Sequence, residues 1–158
     1  MKAIILGLFL AIPGISYSQA PVTLSDPKPS FIALTVSNID SSILWYQDNL
    51  GMLLQNKVDS RERGFKQANL IRAKMQIELV ELDSSISVLS LEKHFSGKNI
   101  QGFTKFGFSV TDFDNWYSIM KNKNIKFVGR MIKDSLTGKR MFLVSDPDDN
   151  LIQIFEEK

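Results

Sequence analysis

The chain has 158 residues, 44% of them hydrophobic, with one His, no Cys and a formal charge of +2. Basic and acidic residues are interspersed without a block of one sign, which excludes nucleic acid as the main partner. The lack of Cys excludes a disulfide framework, thiol chemistry and a lipid anchor on a lipobox cysteine.

Residues 1–18 have the pattern of a signal peptide. Lys2 is a short basic start, Ala3 to Ile15 an apolar run, and Ser16-Tyr17-Ser18 puts small residues where a signal peptidase reads them. The run is too short to span a bilayer stably, so removal is predicted rather than anchoring. The alternative is an N-terminal buried strand or helix. Cleavage before Gln19 would leave 140 of the 158 residues and, without Lys2, a formal charge of +1. That length suits one domain with a sizeable core. The prediction is an exported protein, periplasmic or secreted, with no membrane partner after cleavage. Residues 19–29 contain three prolines without a period and read as an extended leader into a domain over residues 30–158.

Phe31 to Val36 is a β-branched and aromatic run, predicted as a strand. Ser37-Asn38 offers a cap and Asp40 suits the first turn of a helix. Ile39, Ile43, Leu44 and Tyr46 are predicted to share its apolar face, with an end near Asn49 and a stop at Gly51. Three strands follow, over Leu53 to Ser60, Phe65 to Arg72 and Met75 to Leu82. Then the pattern restarts. Phe31-Ile-Ala-Leu-Thr-Val-Ser-Asn-Ile-Asp40 returns 74 positions later as Lys105-Phe-Gly-Phe-Ser-Val-Thr-Asp-Phe-Asp114, with only the first position changing chemical class. The second copy predicts a strand over Lys105 to Val110, a cap at Thr111-Asp112, and a helix with a stripe of Phe113, Trp116, Tyr117 and Met120. Strands over Phe127 to Lys133, Lys139 to Ser145 and Leu151 to Glu156 complete it. Leu136 to Lys139 and Asp146-Pro-Asp-Asp-Asn150 are turn chemistry. Two βαβββ modules, residues 30–82 and 105–158, are thus predicted, joined by a connector over residues 83–104 long enough to hold a short helix or cover a site.

These segments resemble the vicinal oxygen chelate superfamily of glyoxalase I, bleomycin-resistance proteins and extradiol dioxygenases. The resemblance is carried by Ile32 to Asp40 with Trp45-Tyr46 and Leu50-Gly51, by Phe106 to Asp114, and by Asp146 to Phe155. It implies an α+β fold in which two paired βαβββ modules form a cup-shaped mixed sheet, with helices on the convex face and the site on the concave one. It also implies a homodimer.

Strand alternation sorts the faces. Ile32, Leu34 and Val36, with Phe106, Phe108 and Val110, are predicted to pack beneath the helices. Phe31, Ala33 and Thr35, with Lys105, Gly107 and Ser109, then face the cup. The small Ala33 and Gly107 either leave room for a cavity or permit close sheet packing. By the resemblance, metal-using relatives would place ligands at Phe31, Glu78, Lys105 and Gln153. Phe has no donor atom and a Lys ammonium no free lone pair. Glu78 and Gln153 would be the ligands if a divalent metal binds, and no cofactor is the expectation. Glu78 and Lys105 are left as an inert ion pair, as contacts to a ligand carboxylate or phosphate with Gln153 adding a hydrogen bond, or as an acid and base.

The predicted ligand-binding residues are Phe31, Asn69, Glu78, Lys105, Leu143 and Gln153; Asn69 and Leu143 depend on a hairpin register that a slip of one would flip. The lone His94, in the connector, cannot supply a two-histidine, one-carboxylate triad and reads as a solvated loop residue. Asp146-x-Asp148-x-Asn150 echoes a calcium loop, but Leu151 stands where Gly is needed and begins a strand. Three functions follow: an exported, metal-free binder of a small organic molecule; a glyoxalase-like lyase, isomerase or dioxygenase with a degenerate metal site; or an interaction module whose cup is filled by side chains. Export disfavours glutathione-dependent chemistry, and the low charge gives no long-range attraction to a cationic drug.

Overall fold

A computed structural model describes residues 28–87, 90 and 102–157; the predicted signal peptide, most of the leader and His94 lie outside the described residues. The first module runs β1 (Ile32–Thr35), α1 (Ile39–Leu50), β2 (Leu53–Ser60), a 3-10 turn, β3 (Phe65–Arg72) and β4 (Met75–Leu82). The second runs β5 (Lys105–Val110), α2 (Phe113–Asn122), β6 (Ile132–Lys133), β7 (Arg140–Ser145) and β8 (Leu151–Glu156). Each forms a four-stranded mixed sheet, in the orders β1-β4-β3-β2 and β5-β8-β7-β6, with the first strand parallel to the last and the other pairs antiparallel. The predicted α+β fold of two βαβββ modules is the fold found.

The alternating faces fall as predicted. Leu34, Val36, Phe106 and Val110 are buried, Ile32 and Phe108 pack against the same core, and Ala33, Thr35, Lys105, Gly107 and Ser109 are exposed on the opposite face. One continuous core joins Leu79, Tyr46 and Leu70 of the first module to Phe113, Phe142 and Ile152 of the second. Asn38 is the cap of α1: its side chain accepts from the Ser41 N–H at 2.9 Å. Gly51 closes the helix at φ 61°, a left-handed turn that glycine adopts without a Cβ clash.

Glu81 also holds the start of α1. It reaches across from β4 to accept the Ile39 N–H at 2.7 Å and Lys66 Nζ at 2.6 Å. The Lys66 ammonium, helped by the Ile39 N–H, keeps the Glu81 carboxyl below the ordinary 4.5. Its folded pKa lies below the unfolded one, so its stabilisation is present above about pH 4.5 and is lost as pH falls through the folded value. Glu81→Gln is expected to give a shallower loss of stability on acidification, read from urea midpoints across the acid range. An unchanged slope would overturn this role.

Three expectations are corrected. Leu44 is 60% exposed and does not belong to the buried face of α1, which is Ile39, Ser42, Ile43, Tyr46 and Leu50. At 100° per residue, Leu44 is turned away from the stripe that repeats at three- and four-residue steps. The Phe127 to Lys133 strand shrinks to Ile132–Lys133 with an isolated bridge between Phe127 and Val144, because Gly129 at φ 74° breaks the run. Phe31 lies just before β1, which starts at Ile32, and Lys139 just before β7, which starts at Arg140.

Candidate functional site

The candidate residues lie on the faces of the two sheets away from the helices. In the first module the pairing sets Ala33 and Asn69 on either side of Glu78, so the β3–β4 register is the one predicted. Asn56 pairs with Asn69, after a bulge at Gln55 shifts β2 by one residue. Phe31, 54% exposed, precedes the strand at the Gln76 end of this face. In the second module Gly107 and Leu143 flank Gln153, again as predicted.

Side-chain bonds knit the first face together. Gln67 Nε2 donates to Glu78 Oε2 at 2.6 Å, Asn69 Nδ2 to Asn56 Oδ1 at 2.8 Å, and Gln76 Nε2 to Asn69 Oδ1 at 3.4 Å. On the second face Gln153 is buried and its amide donates to Met141 Sδ. Lys105 is exposed, and no ion pair joins it to Glu78. The inert pair is therefore not formed within the chain.

Gly107 resolves its half of the cavity question. A Cβ there would stand 2.6 Å from the backbone oxygen of Gln153, so the missing side chain is required by close strand approach. Ala33, its counterpart, carries a Cβ on an exposed stretch of sheet.

The positions that the resemblance assigned to metal hold a phenyl ring, an ammonium, a carboxylate bonded to Gln67 and a carboxamide bonded to Met141. That set does not fit a transition-metal site, which favours imidazole, thiolate or several carboxylates. Among the described residues no group of three or more His, Cys, Asp and Glu side chains could hold a metal.

Among the described residues, two clefts lie near the module junction. One of about 330 Å³ is lined by Arg72, Met75, Phe108, Asp112 and Trp116; one of about 530 Å³ by Thr35, Glu81, Leu82, Phe103 and Asp148. Neither includes any of the six candidates.

The junction itself is built symmetrically. The β3–β4 hairpin of the first module reaches α2, where the Arg72 guanidinium lies 4.9 Å over the Trp116 ring and Nη1 donates to the Leu50 carbonyl at 2.5 Å. The β7–β8 hairpin of the second reaches α1, where Tyr46 Oη donates to Asp146 Oδ2 at 2.9 Å and the Ser37 N–H to Asp148 Oδ1 at 2.9 Å. Burial pushes the Asp146 carboxyl up, against the hydrogen bonds that favour its charge. The Asp-Pro-Asp-Asp-Asn run is thus a turn, as read from the sequence, and also a latch, which the sequence reading missed.

This chain belongs to the Glyoxalase/Bleomycin resistance protein/Dioxygenase superfamily, whose pattern it matches over residues 28–154. It is similar to the uncharacterized protein YraH of Bacillus subtilis, 25% identical over 125 residues covering 79% of this chain and 94% of that protein. Among solved structures it is similar to a glyoxalase family protein from Enterococcus faecalis, with TM-score 0.70 and 19% identity over 82% of this chain and 97% of that one. It is also similar to the fosfomycin resistance protein FosX from Listeria monocytogenes, with TM-score 0.62 and 13% identity over 85% of this chain and 96% of that one. At these identities the structures speak for the fold alone.

Proposed function

We propose that the chain is an exported protein that binds a small organic molecule against its open sheet faces, without a metal, and that a second copy completes the cup. The donor chemistry carries the metal-free reading: Phe31 and Lys105 stand where ligands would be needed, and Glu78 and Gln153 are engaged by Gln67 and Met141. The exposure of Leu53 and Val58 on the first open face supports a partner copy, and the module-to-module contacts of Tyr46 with Asp146 and of Arg72 with Trp116 lie on the helix side.

Elemental analysis of protein purified without chelator, before and after loading with zinc, nickel, iron and manganese, tests the metal-free part. The expected result is no stoichiometric metal after dialysis. Retained metal at one per chain would overturn it and point to the lyase and dioxygenase reading. Lys105→Ala is expected to keep the fold, because the side chain is exposed and has no ion pair among the described residues, and to weaken binding of a ligand found by thermal-shift screening. Unchanged affinity would remove Lys105 from the site.

A further inference from the structure

The two clefts at the junction are copies of one construction. Thr35 and Asp83 line the larger; Ser109 and Glu157, each 74 positions on, line the other. In each, the end of a module's first strand faces the hairpin turn of the other module. The turns differ. In the larger cleft Asp148 is taken up by the Ser37 N–H, and no Lys or Arg stands among the described lining residues. In the other, of about 330 Å³, the β3–β4 turn brings Arg72 and Lys74, with Ala73 between them at φ 51°. The fold does not use the Lys74 ammonium, which is exposed and has no ion pair among the described residues. The opposite wall is acidic. Asp112 precedes α2, and Glu157 is held beside the end of β5 by the bond from its N–H to the Val110 carbonyl at 2.9 Å. Among the described residues no ion pair joins these carboxylates to Arg72 or Lys74. Between the walls lie the half-buried rings of Phe108 and Trp116, edge to face at 5.4 Å. A third cleft, of about 160 Å³, shares Arg72, Asp112 and Trp116 with this one.

We propose that this cleft is a second ligand site, separate from the open sheet faces, and that it takes a small zwitterion with an apolar body, the chemistry of an amino acid with an aromatic side chain. The two rings give an apolar floor with a few charged groups around it, and the volume lies at the small end for ligand sites. Arg72 donates from Nη1 to the Leu50 carbonyl and lays its face on Trp116, which leaves Nη2 to meet a carboxylate beside Lys74. Glu157 and Asp112, which accepts one bond from the Asn115 amide at 3.1 Å, face the ammonium group. A plain anion would gain the bases and meet both carboxylates. A plain cation would gain the carboxylates and meet both bases. A ligand carrying both charges pairs with each wall, and like charges set side by side oppose the other two classes.

The test uses the full chain, labelled with nitrogen-15 and followed by its indole N–H signals near neutral pH. Tryptophan occurs twice, and Trp45 lines a different cleft, so its signal, identified with Trp45→Phe, is an internal control. Three probes are titrated: L-phenylalanine, hydrocinnamate, which lacks the ammonium group, and phenethylamine, which lacks the carboxylate. The expected result is that phenylalanine shifts the Trp116 signal and not that of Trp45. It should bind at least about fivefold more tightly than either singly charged probe, and Lys74→Ala and Glu157→Gln should each weaken it about two- to fivefold, the range of an exposed ion pair. Both side chains are exposed, so both variants are expected to fold, which thermal unfolding checks. Equal or tighter binding of a singly charged probe would overturn the zwitterion class. Unchanged affinity in either variant would overturn the role of that wall. No Trp116 shift with any probe would overturn the site itself. None of these outcomes bears on the open faces, since Glu78 and Lys105 line neither of the clefts that hold Trp116.

Discussion

Asp146→Ala is expected to lower folding stability by about 3–5 kcal/mol, because several hydrogen bonds to a carboxylate are lost and a buried hydroxyl is left without its acceptor. The carboxylate accepts four hydrogen bonds: from the Asp148 and Asn150 N–H groups at 2.9 and 2.8 Å, from Asn150 Nδ2 at 2.9 Å and from Tyr46 Oη at 2.9 Å. Ala would release the turn that shapes the β7–β8 hairpin and leave the fully buried Tyr46 hydroxyl without its acceptor. With a urea m-value of ~2 kcal/mol/M, the midpoint should fall by about 2 M. Tyr46→Phe removes one bond and should cost about 1–2 kcal/mol. In a double-mutant cycle the two losses should fall short of additive, because each removes the same contact. A loss within about 1 kcal/mol for Asp146→Ala would mean that water takes over its role, and the modules would not depend on this latch.

The latch shows where a sequence reading stops. Asp146 to Asn150 announces a turn because each residue type favours one locally, but nothing local says that the turn lies against the helix of the other module. The strands were more legible. Period-two alternation with Gly, Asn and charged residues between the runs marked β2, β3, β4, β5 and β8, but it left open the hairpin registers, which here set Asn69 beside Glu78 and Leu143 beside Gln153. The pattern failed where a single residue overrode it. Gly129 ended a run in which Phe127, Val128, Met131 and Ile132 are apolar, and Leu44 was counted into a helix face that ordinary helical spacing turns away from it. The site was legible by face and not by partner. Alternation placed Glu78 and Lys105 on open sheet, but whether they meet depends on how the modules pack, and here Gln67 rather than Lys105 takes the carboxylate.

The same limit applies to the glycine of the repeat, and it sets up the second large effect. Gly107→Ala is expected to destabilise the protein by about 1–3 kcal/mol, the cost of forcing one methyl into a packed place. No unusual dihedral is involved, so strain at φ is not the cause. The cause is space: the new Cβ would lie 2.6 Å from the Gln153 carbonyl and 3.3 Å from its Cβ. A backbone oxygen held in a strand ladder cannot rotate away as the end of a long side chain can, so β5 and β8 must part. The matched substitution Ala33→Gly should cost little, because Ala33 holds the same place in the first module on exposed sheet; only the backbone penalty of glycine, about 0.5–1 kcal/mol, applies. The contrast separates two explanations of small residues on the open faces. If both were small to leave room for a ligand, Gly107→Ala would fold normally and bind less well. If close strand approach sets Gly107, stability falls first and binding falls through the displacement of Gln153. Urea unfolding of both variants decides between them, and wild-type stability in Gly107→Ala would return Gly107 to the ligand.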